Sequence, residues 1–146
     1  MLASSLDSPT QPVILGFDPG RQKCGLAIMG LDRSLYYHQV IQAEAAVSTI
    51  KDLRQQFPVS MVVMGNQTSA NEWKQRLTED TEPDPPRVVL VDERYSTLEA
   101  RDRYWQMYPP SGMARLLPKG MRTPPRPIDD IVAILLIERY LERLTD

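Results

Sequence analysis

The feature that most constrains this chain is that its apolar runs stop abruptly on acids. Val13 to Phe17 runs straight into Asp18-Pro19-Gly20, and Val88 to Val91 runs straight into Asp92-Glu93-Arg94. Short runs rich in branched apolar residues read as buried strands. In an α/β sheet, the carboxyl ends of the strands are where sites are built. The chain therefore puts carboxylates where a sheet presents its chemistry.

The other segments supply the rest of that sheet. Gly25 to Met29 and Leu35 to Ile41 read as further strands, separated by short breaks, so the first three strands form an antiparallel meander. Ala43 to Phe57 carries Ala46, Val47, Ile50, Leu53 and Phe57 at helical spacing and is ended by Pro58. Val59 to Met64 is a continuous apolar run, the pattern of a strand buried on both faces. Ser69 to Thr78 reads as a helix, Glu79 to Pro86 as a loop, and Val88 to Val91 as a second buried strand. Ser96 stands three residues before Glu99, the spacing of a capping box, and opens a helix that runs to Met107. Ile128 to Leu144 has the strongest helical period in the chain. The order β-β-β-α-β-α-β-α-α predicts a mixed sheet, three antiparallel strands followed by parallel ones, with helices on both faces.

At 146 residues the chain has the size of one domain. Residues 1–12 are polar and Pro- and Ser-rich and read as a disordered lead-in to a domain spanning 13–146. They lack a basic stretch followed by an apolar core, so no secretory signal is expected. The longest apolar run, Ile131 to Ile137, is too short to span a bilayer. The expected setting is the cytoplasm, with no membrane partner. The single cysteine, Cys24, excludes an internal disulfide and a thiolate zinc site, and it reads as a small apolar strand residue. The single histidine, His38, reads as a plain strand residue.

Net charge is −2, which alone argues mildly against nucleic acid. The distribution argues otherwise. Arg101 to Arg126 holds six basic residues and one acid, a local balance of +5 beside an acidic body. Within it, Pro109 to Pro127 contains six prolines and two glycines and reads as an irregular flap. A cationic flap beside carboxylates suits a phosphate-bearing partner, and a solvated loop is the plainer alternative.

Each acid also has a plain reading. Asp-Pro-Gly is a common turn. Asp129 and Asp130 at a helix start cap it or complement its dipole. Glu93 can pair with Arg94. Together they have a chemical reading, because a hard cation such as Mg²⁺ takes carboxylate oxygens converging from separate elements. Two such ions about 3.5–4 Å apart activate water and stabilise the leaving oxygen in phosphodiester hydrolysis.

Three segments resemble a known family. They are Ile14 to Gly20 followed by Cys24 to Ile28, then Val91 to Ala100, whose Asp-Glu-Arg-Tyr-Ser-Thr-Leu-Glu-Ala is the most distinctive, and finally Ile128 to Ala133. In this order they resemble the YqgF/RuvX family of RNase H-like nucleases, relatives of the RuvC junction resolvases. The resemblance spans about Val13 to Leu141. It implies an RNase H-like fold, with Asp18, Glu93 and Asp129 as catalytic and metal-holding acids and Mg²⁺ or Mn²⁺ as the metal. It further implies maturation of the 16S rRNA precursor, with junction resolution as an alternative. Asp129 is preferred to Asp130 because it keeps the family's register, and neighbouring helical residues point roughly 100° apart.

The candidate substrate-binding cations are Lys23, Arg94, Arg115, Lys119 and Arg122. Lys23 stands where the family has an arginine, and a lysine is a poorer bidentate phosphate holder. The stretch Gly65-Asn66-Gln67-Thr68 is shorter than the family's loop and lacks its acid, and Met29-Gly30 replaces a Ser-Asp. These departures leave the three acids in place and make substrate preference the open question. The expected partner is structured RNA or, failing that, branched DNA, bound by a monomer or weak homodimer. Symmetric junction cutting would require the dimer. A catalytically weak RNA- or partner-binding module is the non-enzymatic alternative.

Overall fold

The computed structural model describes residues 9–145. Up to residue 8, the lead-in expected over 1–12 lies outside the described residues. The strands are β1 (Val13–Asp18), β2 (Lys23–Gly30), β3 (Leu35–Gln42), β4 (Val59–Gly65) and β5 (Val88–Val91). The α-helices are α1 (Ala46–Gln56), α2 (Ala70–Asp80), α3 (Ser96–Met107) and α4 (Asp129–Thr145).

The strands form one sheet in the order β3-β2-β1-β4-β5. β1–β2 and β2–β3 are antiparallel, whereas β1–β4 and β4–β5 are parallel. This is the mixed sheet that the element order predicts. Its consequence is local. Because β1, β4 and β5 run the same way, they end on one edge of the sheet, and Asp18 shares that edge with the chain leaving β5. An antiparallel hairpin alone would have left this open.

Both faces of the sheet are covered, which explains the unbroken apolar runs. Successive side chains of a strand point to opposite faces. Val13, Leu15 and Phe17 pack with α1 and α2 through Ile50, Leu53, Trp73 and Leu77. Ile14, on the other face, packs with α3 and α4 through Ala100, Tyr104, Ile134 and Ile137. Ile14, Leu15 and Phe17 are fully buried, and each such side chain contributes roughly 1.5–3 kcal/mol of transfer free energy. α4 is buried from Asp130 through Ile137. It lies so close to β2 that a Cβ on Gly25 would overlap the Asp129 carbonyl. Glycine at 25 is what lets the start of α4 reach the sheet.

Three local expectations change. β5 is half-buried over Val88 to Leu90 and fully buried only at Val91, because it is an edge strand with one neighbour. The helix after β3 starts as a 3₁₀ turn, Ala43–Ala45, before α1. The expected capping box at Ser96 does not form. Ser96 is the buried first residue of α3, and Tyr95, at φ 62°, takes the cap position without a side-chain bond. The Ser96 amide donates instead to the Glu93 carbonyl, so this turn is shaped around Glu93.

Candidate active site

The sheet edge and α4 bring three acids together. Asp18 is the last residue of β1, Glu93 follows β5, and Asp129 is the first residue of α4. Burial, then the charges of Asp129 and Glu93, push the Asp18 carboxyl up to about 8. Asp129 lies close enough to Asp18 to accept from its protonated carboxyl, which adds to that rise. Burial also raises Asp129, with Lys23 opposing that rise through its charge. Burial raises Glu93 as well, with Asp92 adding to the rise and Arg139 reducing it. Like charges forced together in a desolvated place hold protons until a cation replaces them.

Glu93 is held from behind. Gly65 ends β4 directly under Glu93, and a Cβ there would lie 2.9 Å from the Glu93 carboxyl carbon. Arg139 of α4 donates to the carbonyls of Asp92 and Arg94, both at 2.7 Å, and to Glu99 Oε2 at 2.8 Å. It thus clamps the turn carrying Glu93 from both sides. Arg139 did not stand out in the sequence and Gly65 did so only as the start of a shortened loop, since their roles depend on contacts across the fold.

The expected pairing of Glu93 with Arg94 is absent. Arg94 Nε donates to Asp92 Oδ2 at 3.0 Å, and the Arg94 amide to Asp92 Oδ1 at 3.0 Å. Glu93 is left free of that partner, and Arg94 remains exposed at the rim.

Asp130 has the opposite environment. It is 2% exposed, with His38 Nδ1 at 2.7 Å from Oδ2. Arg126 donates from Nη1 to Oδ1 at 2.9 Å and from Nη2 to Oδ2 at 3.3 Å. Tyr108 Oη lies 3.4 Å from His38 Nε2, and the Arg126 guanidinium stacks over the Tyr104 and Tyr108 rings at 5.3 and 5.7 Å. His38, read as a plain strand residue, is part of a network tying β3, α3 and the end of the flap to α4. The signal in sequence is the Asp-Asp pair itself, since two neighbours on a helix cannot face the same way.

The other cations divide. Lys23 opens β2 within charge range of Asp129. Arg115 is exposed, and Lys119 Nζ is 3.8 Å from Asp102 Oδ1 across exposed surface. Arg122 points inward: its Nε donates to the carbonyls of Ala114 and Leu117, both at 3.1 Å. It holds the flap together. Met113, Leu116 and Met121 of the flap are largely exposed.

Carboxylates are hard oxygen donors, so the donor set fits Mg²⁺ or Mn²⁺. Among the described residues no group of three or more His, Cys, Asp or Glu side chains is placed to hold a metal ion. What suits a divalent cation is the chemistry of the donors: Asp18 and Asp129 lie close together, and the charge of Glu93 reaches Asp18.

No protein-family model matches the sequence, and no curated protein does either. Solved structures do match. Thermus thermophilus RuvC bound to its Holliday junction substrate aligns with a TM-score of 0.58 at 16% identity, covering 92% of this chain and 96% of that one. A second Thermus thermophilus RuvC structure aligns with a TM-score of 0.52 at 17% identity, over 91% and 96%. The fold is RuvC-like. At this identity the likeness shows the RNase H-type architecture. No helix among the described residues is long and apolar enough to cross a membrane.

Proposed function

We propose that this protein is a metal-dependent endonuclease that hydrolyses phosphodiester bonds in structured RNA, with the 16S rRNA precursor as substrate. The observation that carries the reading is the convergence of Asp18, Glu93 and Asp129 at one sheet edge, buried enough to hold Asp18 protonated up to about 8. The RuvC-like fold supports the same reaction class. The Asp-Glu-Arg-Tyr-Ser-Thr segment favours the RNA substrate through its resemblance to the YqgF/RuvX family.

Mg²⁺ or Mn²⁺ would be held by Asp18, Glu93 and Asp129, and when bound it supplies an activated water and a counter-charge for the leaving oxygen. The chain's own residues do the rest. Asp18, which holds its proton up to about 8, is the acid that would release one where a cation is held. Arg139 and Gly65 fix where Glu93 sits. Lys23 stands beside Asp129 to meet a phosphate oxygen, and Arg94, Arg115 and Lys119 line the approach as backbone contacts that position without reading sequence.

Junction DNA is the second reading, favoured by the likeness to a RuvC captured with such a substrate. One experiment separates the two: a labelled rRNA precursor fragment and a labelled four-way junction, each incubated with Mg²⁺ or Mn²⁺, with wild type against Asp18→Asn. Metal-dependent cleavage of the RNA, reduced on the order of 10³-fold in the variant, is expected, because the lost charge stabilisation is several kcal/mol. Cleavage of the junction alone would move the substrate to DNA. Cleavage of neither would leave a binding module.

A further inference from the structure

A recess of about 730 Å³ opens beside the turn that follows Asp18. Its walls come from three places that the sequence keeps apart. Arg21 belongs to the β1–β2 turn, Glu44 to the 3₁₀ turn after β3, and Gln67 to the loop between β4 and α2. Glu72, Trp73 and Arg76 come from α2. The Gln67 amide donates to the Pro19 carbonyl at 2.9 Å, which fastens two of these walls one residue from Asp18. The recess is thus built on the same turn as the acid cluster.

Its chemistry is mixed in a particular way. The Arg76 guanidinium stacks over the Trp73 ring at 4.2 Å. Trp73 packs edge-on against Phe17, with ring centroids 5.2 Å apart, and Phe17 precedes Asp18. Some arginines are committed to carboxylates, as Arg103 is to Glu138, Arg126 to Asp130 and Arg139 to Glu99. Among the described residues, neither Arg21 nor Arg76 has a carboxylate within salt-bridge distance. Two free guanidinium groups face a concave space, and that of Arg76 lies flat over the largely buried Trp73 ring.

Glu44 and Glu72 share that space and decide the ligand. Two acids beside two arginines make a poor trap for a bare phosphate. They suit a nucleotide, which brings a phosphate for the arginines and a base whose amino group can donate to a carboxylate. A paired duplex hides those base edges and is convex where the recess is concave. An unpaired base can enter, stack and present its edge.

We propose that this recess receives an unpaired nucleotide of the strand adjoining the cleavage site. Arg21 and Arg76 hold its backbone phosphates, the Arg76–Trp73 stack lies under its base, and Glu44 or Glu72 accepts from its amino edge. The proposal rests on the nuclease reading and adds that the substrate is single-stranded beside the cut. It also gives the short loop at Gly65 to Thr68 a role, because Gln67 forms a wall.

The test is binding, measured by anisotropy with EDTA present so that no cleavage intervenes. The probes are a labelled RNA duplex with blunt ends and the same duplex carrying a single-stranded tail. Wild type is expected to bind the tailed duplex on the order of tenfold more tightly, the scale of one base–aromatic stack. The double variant Arg21→Ala/Arg76→Ala is expected to lose that advantage and bind both probes alike. Both side chains are exposed, so the fold persists, which circular dichroism checks. Arg33→Ala/Arg87→Ala, which removes the same charge away from the recess, is expected to keep the advantage. In a Trp105→Phe background, Trp73 fluorescence should change with the tailed probe only. Equal binding of the two probes by wild type, or a double variant that keeps the full advantage, overturns the proposal and leaves the nuclease reading standing. Failure of wild type to bind either probe overturns both.

Discussion

Asp129 and Asp130 are neighbours in the chain and opposites in their surroundings. Asp129 lies against Asp18, and burial with the charge of Asp130 raises it against the pull of Lys23. Asp130 faces His38 and Arg126, and every contact it makes offsets its charge. One helical turn thus carries an acid that the fold neutralises and an acid that the fold leaves charged among acids. A protein built only for stability would pair both. The unpaired member costs stability, so its presence is a sign of function.

The comparison is broken most directly by exchanging the two acids' fates. Asp130→Ala should destabilise the protein by roughly 2–4 kcal/mol in urea unfolding, since removing one partner of a buried pair strands the others. Asp129→Asn should leave stability unchanged or raise it, because it removes a carboxylate whose charge is disfavoured on balance by burial and by Asp130. Equal losses in the two variants would show that the two sites do not differ.

A smaller substitution sharpens the role of the acid cluster. Gly65→Ala should push Glu93 off its place and reduce cleavage by about 10- to 100-fold, the usual cost of disturbing what orients a metal ligand. Its unfolding midpoint should move little, because the obstacle is the end of a flexible side chain. Gly25→Ala meets backbone instead, and should destabilise the protein outright.

The flap offers the mildest contrast. Arg115→Ala/Lys119→Ala should weaken RNA binding and reduce the salt slope by about 1.8, at about 0.9 for each phosphate that is no longer neutralised. Arg122→Ala should instead loosen the flap, because its side chain is spent on the Ala114 and Leu117 carbonyls. Limited proteolysis of the flap separates the two. Greater cleavage in the Arg115/Lys119 variant than in the Arg122 variant would reverse the assignment.

Much of this was legible before any coordinates. The five strands and four helices follow from apolar runs and helical periods, and the mixed sheet follows from their order. Asp18, Glu93 and the Asp129–Asp130 pair stood out because they sit at the end or start of an element, and the resemblance to the YqgF/RuvX family chose Asp129 from the pair. What could not be read depended on contacts between distant segments. His38 and Asp130 are 92 residues apart, and nothing local marks them as partners. Arg122 looked like one more cation until its carbonyl partners placed it inside the flap. Ser96 had the spacing of a capping box, but the turn at Tyr95 is set by the need to seat Glu93 against Gly65. The recess at Arg21 and Arg76 is assembled from three loops and a helix, and no single stretch of sequence contains it.

On the proposed function, the Asp18 cluster is a set of acids that takes up a cation in exchange for a proton. Unfolding of the metal-free protein by urea between pH 5 and pH 8, with and without Mn²⁺, tests it directly in wild type and Asp18→Asn. Asp18 holds its proton up to about 8 in the folded protein, whereas an unfolded aspartate releases it near ~4. The folded state binds the extra proton across this window, so stability must fall as pH rises through it. Wild type should therefore weaken steadily toward pH 8, and Mn²⁺ should restore it by taking the proton's place. Asp18→Asn should lose most of that slope and respond little to Mn²⁺. A wild type that is flat across the window, or an Asp18→Asn variant stabilised as much by Mn²⁺ as wild type, would contradict the account.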